Sequence, residues 1–407
     1  MGALDGTLVL DLTRVLAGPW ATQLLADYGA EVIKIEQPGK GDDTRAWGPP
    51  YLPDAEGKPT TESAYFLSAN RNKRSVAVNL ADPEGQALIC ALAQQADVLV
   101  ENFKVGALAR YGLDYASLQA LNPRLIYCSI TGFGQDGPRA QEAGYDAMIQ
   151  AMGGLMSITG HPDDMPGGGP MKVGIAVVDL MCGMYASNAV LAALHHRARS
   201  GRGQQIDVAL FDTQLAWLSH LAMNHLVAGV EPTRHGSAHA SIVPYQAFAT
   251  ADGHLMLTVG NDAQYLRFCE AAEVPELASD PRYQRNADRV RHRDALLAAL
   301  QPLLRTRTTA DWLARLQAAG VPCGPINTIA QAFADPQARS RQMRQEIAHP
   351  IAGTLPLVAH PVRFSDSPAA IRCAPPLLGA DTDHVLGTRL GLDAGALAAL
   401  RTRGVIG

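Results

Sequence analysis

Apolar and polar residues alternate in blocks along the first third of the chain. TLVLDL is a short apolar run that reads as a strand. PWATQLLADYG then repeats its apolar residues at helical spacing, opening at Pro19 and closing at Gly29, and EVIKIE reads as a second strand. The theme continues with RSVAVNL (strand), DPEGQALICALAQQ (helix, Pro83 in its first turn), DVLVENF and RLIYCSITGFG (strands). Strands and helices in this succession predict a doubly wound parallel sheet. Between EVIKIE and RSVAVNL, PGKGDDTRAWGPPYLPDAEGKP predicts a long loop, of a length usually reserved for binding or gating.

Further on, MKVGIAVVD reads as a strand and LMCGMYASNAVLAALHH as a helix that ends on basic residues and a glycine stop in HHRARSGRGQ. QIDVAL (strand) and FDTQLAWLSHLAMNHL (helix) follow. From about Glu231 the texture changes to a loop, HGSAHASIVPYQAF, an alternating strand, GHLMLTV, and a mostly helical run from Asp262 to about Leu316, which predicts a second, smaller α+β domain. The tail from about Asp335 carries loop signals in HPIAGTLPLVAHP and APPLLGADTDHVL and closes with the helix GALAALRTRG.

Composition narrows the function. A chain of 407 residues suggests two or three domains, and 47% hydrophobic with 18% charged residues is ordinary for a packed protein. A net charge of −5 lacks the basic surplus that nucleic-acid or anionic-membrane partners require, so small-molecule chemistry is expected. The six cysteines lack CxxC spacing and read as free thiols of a reducing compartment. Asp5 and Asp11 stand where a signal peptide would need positive charge, so a cytoplasmic protein is expected. No metal is expected, because HExxH is missing from the twelve histidines. Neither GxGxxG after TLVLDL nor GxxxxGK[ST] occurs.

Two acids stand out. Asp179 is the one charged residue in VGIAVVDLMCGMYASNAVLAAL, at the junction of the predicted strand and helix, where Asp is a favoured N-cap. A helix N-terminus also favours an ionised carboxylate, so a nucleophile is the second reading, and Gly183, Ala186 and Ser187 leave room beside it for a backbone or a ligand. Asp146, beside Tyr145 in AGYDAMIQAMGG, invites the same two readings. If the two acids meet, they can divide nucleophilic and acid/base roles.

LDGTLVLDLTRVLAGPWATQLLADYGAEVIKIEQPGKGDDTR, NKRSVAVNL, ADVLVENFKVGAL, GFGQDGPRAQEAGYD, VVDLMCGMYASNAVLAAL and SGRGQQIDVALFD, in this order, resemble the class III (formyl-CoA transferase type) CoA-transferase family. The resemblance implies a Rossmann-like large α/β domain with a parallel sheet, a smaller α+β domain, and an interlocked homodimer of ring-shaped protomers. It sets boundaries at residues 1–225 for the large domain, 226–328 for the small one, and 329–407 for a linker returning to the large domain. It makes Asp179 the nucleophile, which passes through an aspartyl anhydride and an aspartyl-CoA thioester. Coenzyme A thioesters are then substrates, with no tightly bound cofactor. CoA-groove positions carry over to Leu16, Ala17, Gln37 (an arginine in formyl-CoA transferase), Val78, Asn79, Leu80, Ala81, Asn102, Phe103, Lys104 and Arg110. Lys104 and Arg110 either pair with CoA phosphates or simply solvate the surface.

Departures from the pattern sort the activities. A related racemase has histidine where this chain has Tyr145. A phenol is a poor base at neutral pH, so transfer is expected over α-carbon epimerisation, the alternative, with Asp146 near the acyl group. HGSAHASIVPYQAF, VPCGPIN and APPLLG resemble the branch of the family that moves CoA from succinyl-CoA to glutarate. Ser237, His239 and Ser241 are the residues that would meet the distal carboxylate of a dicarboxylic acid.

Overall fold

The computed structural model describes all residues from 1 to 407. The chain forms two compact units: Met1–Leu155 with Val173–Met223 and Pro336–Gly407, and Met156–Lys172 with Asn224–Asp335. Residues 156–172, placed in the large domain on sequence grounds, belong to the second unit. Their glycine-rich stretch has no apolar period to mark them. They are tied down by that unit's own loop, where Gly236 N donates to Gly160 O (2.9 Å) and Arg234 donates to Ser157 O (3.0 Å).

The first unit is built on six strands, β1 (Leu8–Asp11), β2 (Glu31–Glu36), β3 (Lys73–Ala77), β4 (Val98–Glu101), β5 (Ile126–Thr131) and β6 (Gln205–Ala209). They lie side by side in the order 3-2-1-4-5-6, every pair parallel, which is the doubly wound order of dinucleotide-binding folds. Alternate residues feed two cores. Leu8, Leu10, Ile33, Ile35 and Leu99 pack on one face, and Val9, Val32, Val98 and Val100 on the other. Burial on both faces explains why the central strands β1, β2 and β4 read as apolar-rich runs. The C-terminal segment joins the first face: helices Thr382–Leu390 and Ala394–Thr402 contribute Val385, Leu386, Leu397 and Leu400, and Asn79 N donates to Val405 O.

The opposite face carries helices α1 (Ala17–Asp27), α2 (Asp146–Met152) and α3 (Val177–Ser200), while α4 (Leu210–Trp217) follows β6 directly. By length and composition α3 could cross a membrane. Val178, Cys182, Ala186, Val190 and Ala193 instead pack it into the core of this unit.

Three local expectations fail. MKVGIAVVD forms no strand: residues 171–176 are irregular and the helix already begins at Val177. Of the β-branched residues that suggested a strand, Val177 and Val178 serve the core from the first turn of α3, whereas Ile175 before it is exposed. The long loop after β2 contains a 3-10 turn (Asp43–Ala46) and a hairpin of Tyr51–Pro53 with Pro59–Ser63, and HPIAGTLPLVAHP is part of a hairpin of Arg344–His349 with Gly353–Val358. In each hairpin at least half of the strand residues face solvent, so neither shows a sustained apolar run.

The second unit has a three-stranded antiparallel sheet, with His254–Thr258 between Cys323–Pro325 and Tyr245–Ala249. Its core gathers Trp312, Tyr265, Phe268, Leu296 and Leu300.

Candidate active site

The strand order of the first unit reverses between β1 and β4, so the chain leaves these neighbouring strands in opposite directions and opens a crevice at their carboxyl ends. A cavity of about 370 Å³ occupies it. Arg14 to Ala17 enter after β1, Asn102 to Val105 after β4, Gly132 after β5 and Leu210 after β6, and Tyr145, Asp146 and Asp179 complete the wall. Three helices of eight residues or more, α1, α3 and α4, begin at this wall, so their positive dipole ends favour negative charge there.

The two acids meet here and their duties separate. Asp179 is the third residue of α3 and does not cap it; the N-cap position is Ala176, whose methyl group cannot accept a hydrogen bond. Asp146 supplies the cap from 33 residues away: its Oδ1 accepts from Asp179 N (3.4 Å) and, more tightly, from Val178 N (2.8 Å). Its Oδ2 accepts from Nε2 of the fully buried Gln150 (2.7 Å), whose Oε1 in turn accepts from Val173 N (2.9 Å). Asp146 is thus held on both oxygens, while the carboxyl of Asp179 has no hydrogen-bond partner in the chain. Burial, and then the Asp146 carboxylate, push Asp179 up to about 7. The start of α3 acts in the opposite sense, so the expectation of a plainly stabilised anion is corrected. Asp179 is a poorly solvated carboxyl group, part open to the cavity.

Close backbone approaches make this geometry. The small face of α3 admits another helix rather than a ligand: a Cβ on Gly183 would lie 2.6 Å from Ala17 O, so the first turn of α1 rests directly on α3. Gly132 and Gly144 also touch backbone to backbone, a Cβ on Gly132 falling 2.6 Å from the Gly144 Cα. That contact turns the chain back over the end of β5 and brings Asp146 to the head of α3.

A second cavity, of about 220 Å³, lies along the ends of β2 and β3. Gln37, Val78, Asn79, Leu80, Ala81 and Arg110 line it, and it shares Arg14 and Phe103 with the first. The CoA-groove positions therefore fall into two adjoining hollows: this one, and the switch-point cavity with Leu16, Ala17, Asn102, Phe103 and Lys104. The Asn102 amide is engaged on both sides by Arg14, accepting from its N (2.9 Å) and donating to its O (2.8 Å), so it fixes the loop after β1 rather than offering a free side chain. Lys104 and Arg110 are exposed. Ser237, His239 and Ser241 belong to the second unit. There Ser237 Oγ accepts from Ala247 N (3.1 Å), His239 Nδ1 accepts from Ser241 N (3.0 Å), and Asn286 donates to Ser241 O (2.8 Å).

Three residues of this region carry no signal in the sequence. Gln150 is a polar residue in an apolar helix, and only its partners reveal its purpose. Arg14 stands over the Phe103 ring, 5.4 Å from its centroid, where both cavities open. Tyr65, beyond the long loop, has its phenol raised by burial and then by Asp179, Asp146 and Asp42, which puts it in the field of both acids. No group of three or more His, Cys, Asp or Glu side chains gathers as a metal site.

A doubly wound sheet with a part-buried, unpaired carboxylate in the crevice at its switch point is the setting of a small-molecule site in an α/β enzyme. Residues 4–382 match the model of CoA-transferase family III, and the chain belongs to that family. It is a class III CoA-transferase. Over 383 residues it is 48% identical to a succinate–glutarate CoA-transferase of Agrobacterium fabrum, covering 94% of each chain. Over 403 residues it is 45% identical to the human succinyl-CoA:glutarate CoA-transferase, covering 99% of this chain and 90% of that one. Among solved structures, a CAIB/BAIF family protein from Brucella suis superposes with a TM-score of 0.84 at 46% identity, covering 95% of this chain and 99% of that one.

Proposed function

We propose that this CoA-transferase moves CoA from a dicarboxylyl-CoA donor, succinyl-CoA, to a glutarate-like dicarboxylic acid, with Asp179 as the nucleophile. The observation that carries the reading is the division between the acids: Asp146 takes over the helix cap and leaves Asp179 unpaired in the switch-point cavity. The names of the relatives supply the acids.

In this reading the Asp179 carboxylate attacks the donor thioester carbonyl, the C–S bond breaks, and a mixed anhydride and CoA thiolate form. The thiolate attacks the Asp179 carbonyl of the anhydride, releasing the donor acid and leaving an aspartyl-CoA thioester. The acceptor carboxylate attacks that thioester, giving a second anhydride and the thiolate. Attack of the thiolate on the acceptor carbonyl yields the new acyl-CoA and restores Asp179. The unpaired N–H groups of Leu16 and Ala17, at the start of α1, are the donors for the oxyanions. Arg14, Lys104 and Arg110 ring the two cavities with positive charge suited to CoA phosphates. Ser237, His239 and Ser241 are retained as the acyl loop that selects the second carboxylate.

A cytoplasmic setting and an interlocked homodimer go with this assignment. An apolar cavity of about 1160 Å³ lined by Trp20, Leu24, Met181, Met184, Tyr185 and Trp217 in the first unit supports coverage by a second copy, which sedimentation would test. For the activity, the enzyme is incubated with succinyl-CoA and a panel of dicarboxylates and new thioesters are followed by mass spectrometry. Exchange to glutarate that vanishes in Asp179→Asn is the expected result. No exchange with any acid, or full activity in the variant, refutes the assignment.

A further inference from the structure

Val15 holds φ at 70°, a conformation that β-branched residues almost never adopt. It lies between β1 and α1 and lines the switch-point cavity. Such strain persists only where the surroundings over-determine it, and it clusters at functional sites. The surroundings here do so atom by atom. Leu12 N donates to Val100 O (2.9 Å), Thr13 N donates to Asp11 Oδ1 (2.9 Å), and Thr13 O accepts from Lys34 Nζ (2.8 Å). Both polar backbone atoms of Arg14 are held by Asn102. Val15 N donates to Asp42 Oδ1 (3.1 Å), whose other oxygen accepts from Lys34 Nζ (2.9 Å). Beyond this pinned stretch come Leu16 and Ala17, whose N–H groups have no partner in the chain.

Lys34 and Asp42 are costly residues to place where they are. Both side chains are fully buried. Burial alone would lower the lysine, but Asp42, Asp11 and Glu36 outweigh it and hold it above its ordinary value; burial would raise Asp42, but Lys34 and Thr44 hold it below. A buried ion pair adds little to stability compared with apolar packing, so its presence calls for another reason. Neither residue touches the cavity that holds Asp179, yet both lie against the loop that forms its wall, and both border the neighbouring cavity.

We infer that the buried Lys34–Asp42 pair is a positioning device: by bonding Thr13 O and Val15 N it locks Val15 in its left-handed turn, so that the free N–H groups of Leu16 and Ala17 are presented to the acyl group at Asp179. The pair acts through the loop and touches no reacting atom. This rests on the proposed role of Asp179, and it separates oxyanion stabilisation from binding of the CoA moiety.

The test is a double-mutant cycle between Asp42→Asn and Val15→Gly, because glycine adopts positive φ without strain and needs no carboxylate to hold it. Rates are measured as kcat and KM for succinyl-CoA with glutarate as acceptor. In the Val15 protein, Asp42→Asn is expected to lower kcat at least tenfold with KM changed less than threefold; in the Val15→Gly protein the same substitution is expected to lower kcat no more than threefold. Equal losses in the two backgrounds, or a loss confined to KM, overturn the inference, since a purely structural role of the pair would be blind to residue 15. Val15→Pro gives a second reading that leaves the buried pair intact: proline forbids positive φ, and a loss of kcat of at least 100-fold is expected. Native kcat in Val15→Pro overturns the inference even if Asp42→Asn does not fold. Asp179→Asn is run beside them: if it retains activity, the nucleophile assignment fails, whereas dead Asp179→Asn with no coupling to residue 15 sinks only the positioning role.

Discussion

Replacing Asp179 by asparagine should abolish turnover and yet make the protein more stable, by an amount that grows with pH. The sign follows from linkage. Burial and Asp146 raise the folded-state value from 3.8 to about 7, so between these limits the folded protein keeps a proton that the unfolded chain has already lost. The cost of ionising the buried acid therefore sets in as pH rises above about 4 and is complete above about 7. At about 1.4 kcal/mol per unit, a shift of this size gives a ceiling of about 4 kcal/mol. Asp179 keeps part of its surface open to the cavity, which solvates the charge, and the start of α3 returns about 0.5–1 kcal/mol. A gain of about 1–3 kcal/mol at pH 8 remains for an isosteric, uncharged side chain, and it should fall to under about 1 kcal/mol near pH 4.5.

Thermal melts of the two proteins between pH 4.5 and 8 read this directly. A rise in Tm of roughly 2–6 °C at pH 8, shrinking steadily toward acid, is expected. Any hydrogen bond the new amide makes adds a constant offset, so the slope against pH is the diagnostic quantity. A Tm difference independent of pH, or one that grows toward acid, would refute the claim that Asp179 is a desolvated carboxylate.

Other consequences can be checked in parallel. The acid limb of kcat/KM should titrate near pH 7, and Asp146→Asn, which removes the neighbouring charge but keeps Oδ1 as a cap, should move that limb to lower pH. Gly183→Ala should cost about 1–3 kcal/mol in denaturant unfolding and lower kcat, because its Cβ would push on Ala17 at the cavity wall. Arg110→Ala should raise KM for the CoA thioester about 3–10-fold, with kcat kept and the effect weakened by salt, if its guanidinium meets a phosphate.

The parallel sheet was legible because all of its strands but the edge strand β6 are buried on both faces, which leaves a dense apolar signature, and because Pro19, Pro83 and Gly29 punctuate the helices between them. The hairpins at residues 51–63 and 344–358 were not, since strands with one wet face carry half the signal. The CoA-groove positions came from resemblance and fell into two adjoining cavities. The strut beneath them did not come from any pattern: Lys34, in EVIKIE, is a charge in a strand that otherwise reads as buried, and only the position of Asp42 explains it. Gln150 and Tyr65 were likewise invisible, because what defines them is a partner distant in sequence. The second unit's claim on residues 156–172 was missed for the same reason.

Asp179 shows most clearly where local reasoning stops. Read along the chain, an acid near the start of an apolar helix is a cap, and a cap is a carboxylate already committed to backbone N–H groups. Folding assigns that duty to Asp146, which reaches the head of α3 because Gly132 and Gly144 let the chain double back, and which Gln150 then locks in place. The helix end is satisfied from outside, so Asp179 can occupy the same turn with both oxygens free. The two acids also need each other electrically: the charge on Asp146 keeps its neighbour reluctant to ionise, and a carboxylate that is reluctant to ionise is the one that gains most by forming a covalent bond to an acyl carbon. In the proposed mechanism capping and nucleophilic attack are thus complementary roles of a pair, and neither acid could take both without giving up the geometry that makes the other useful.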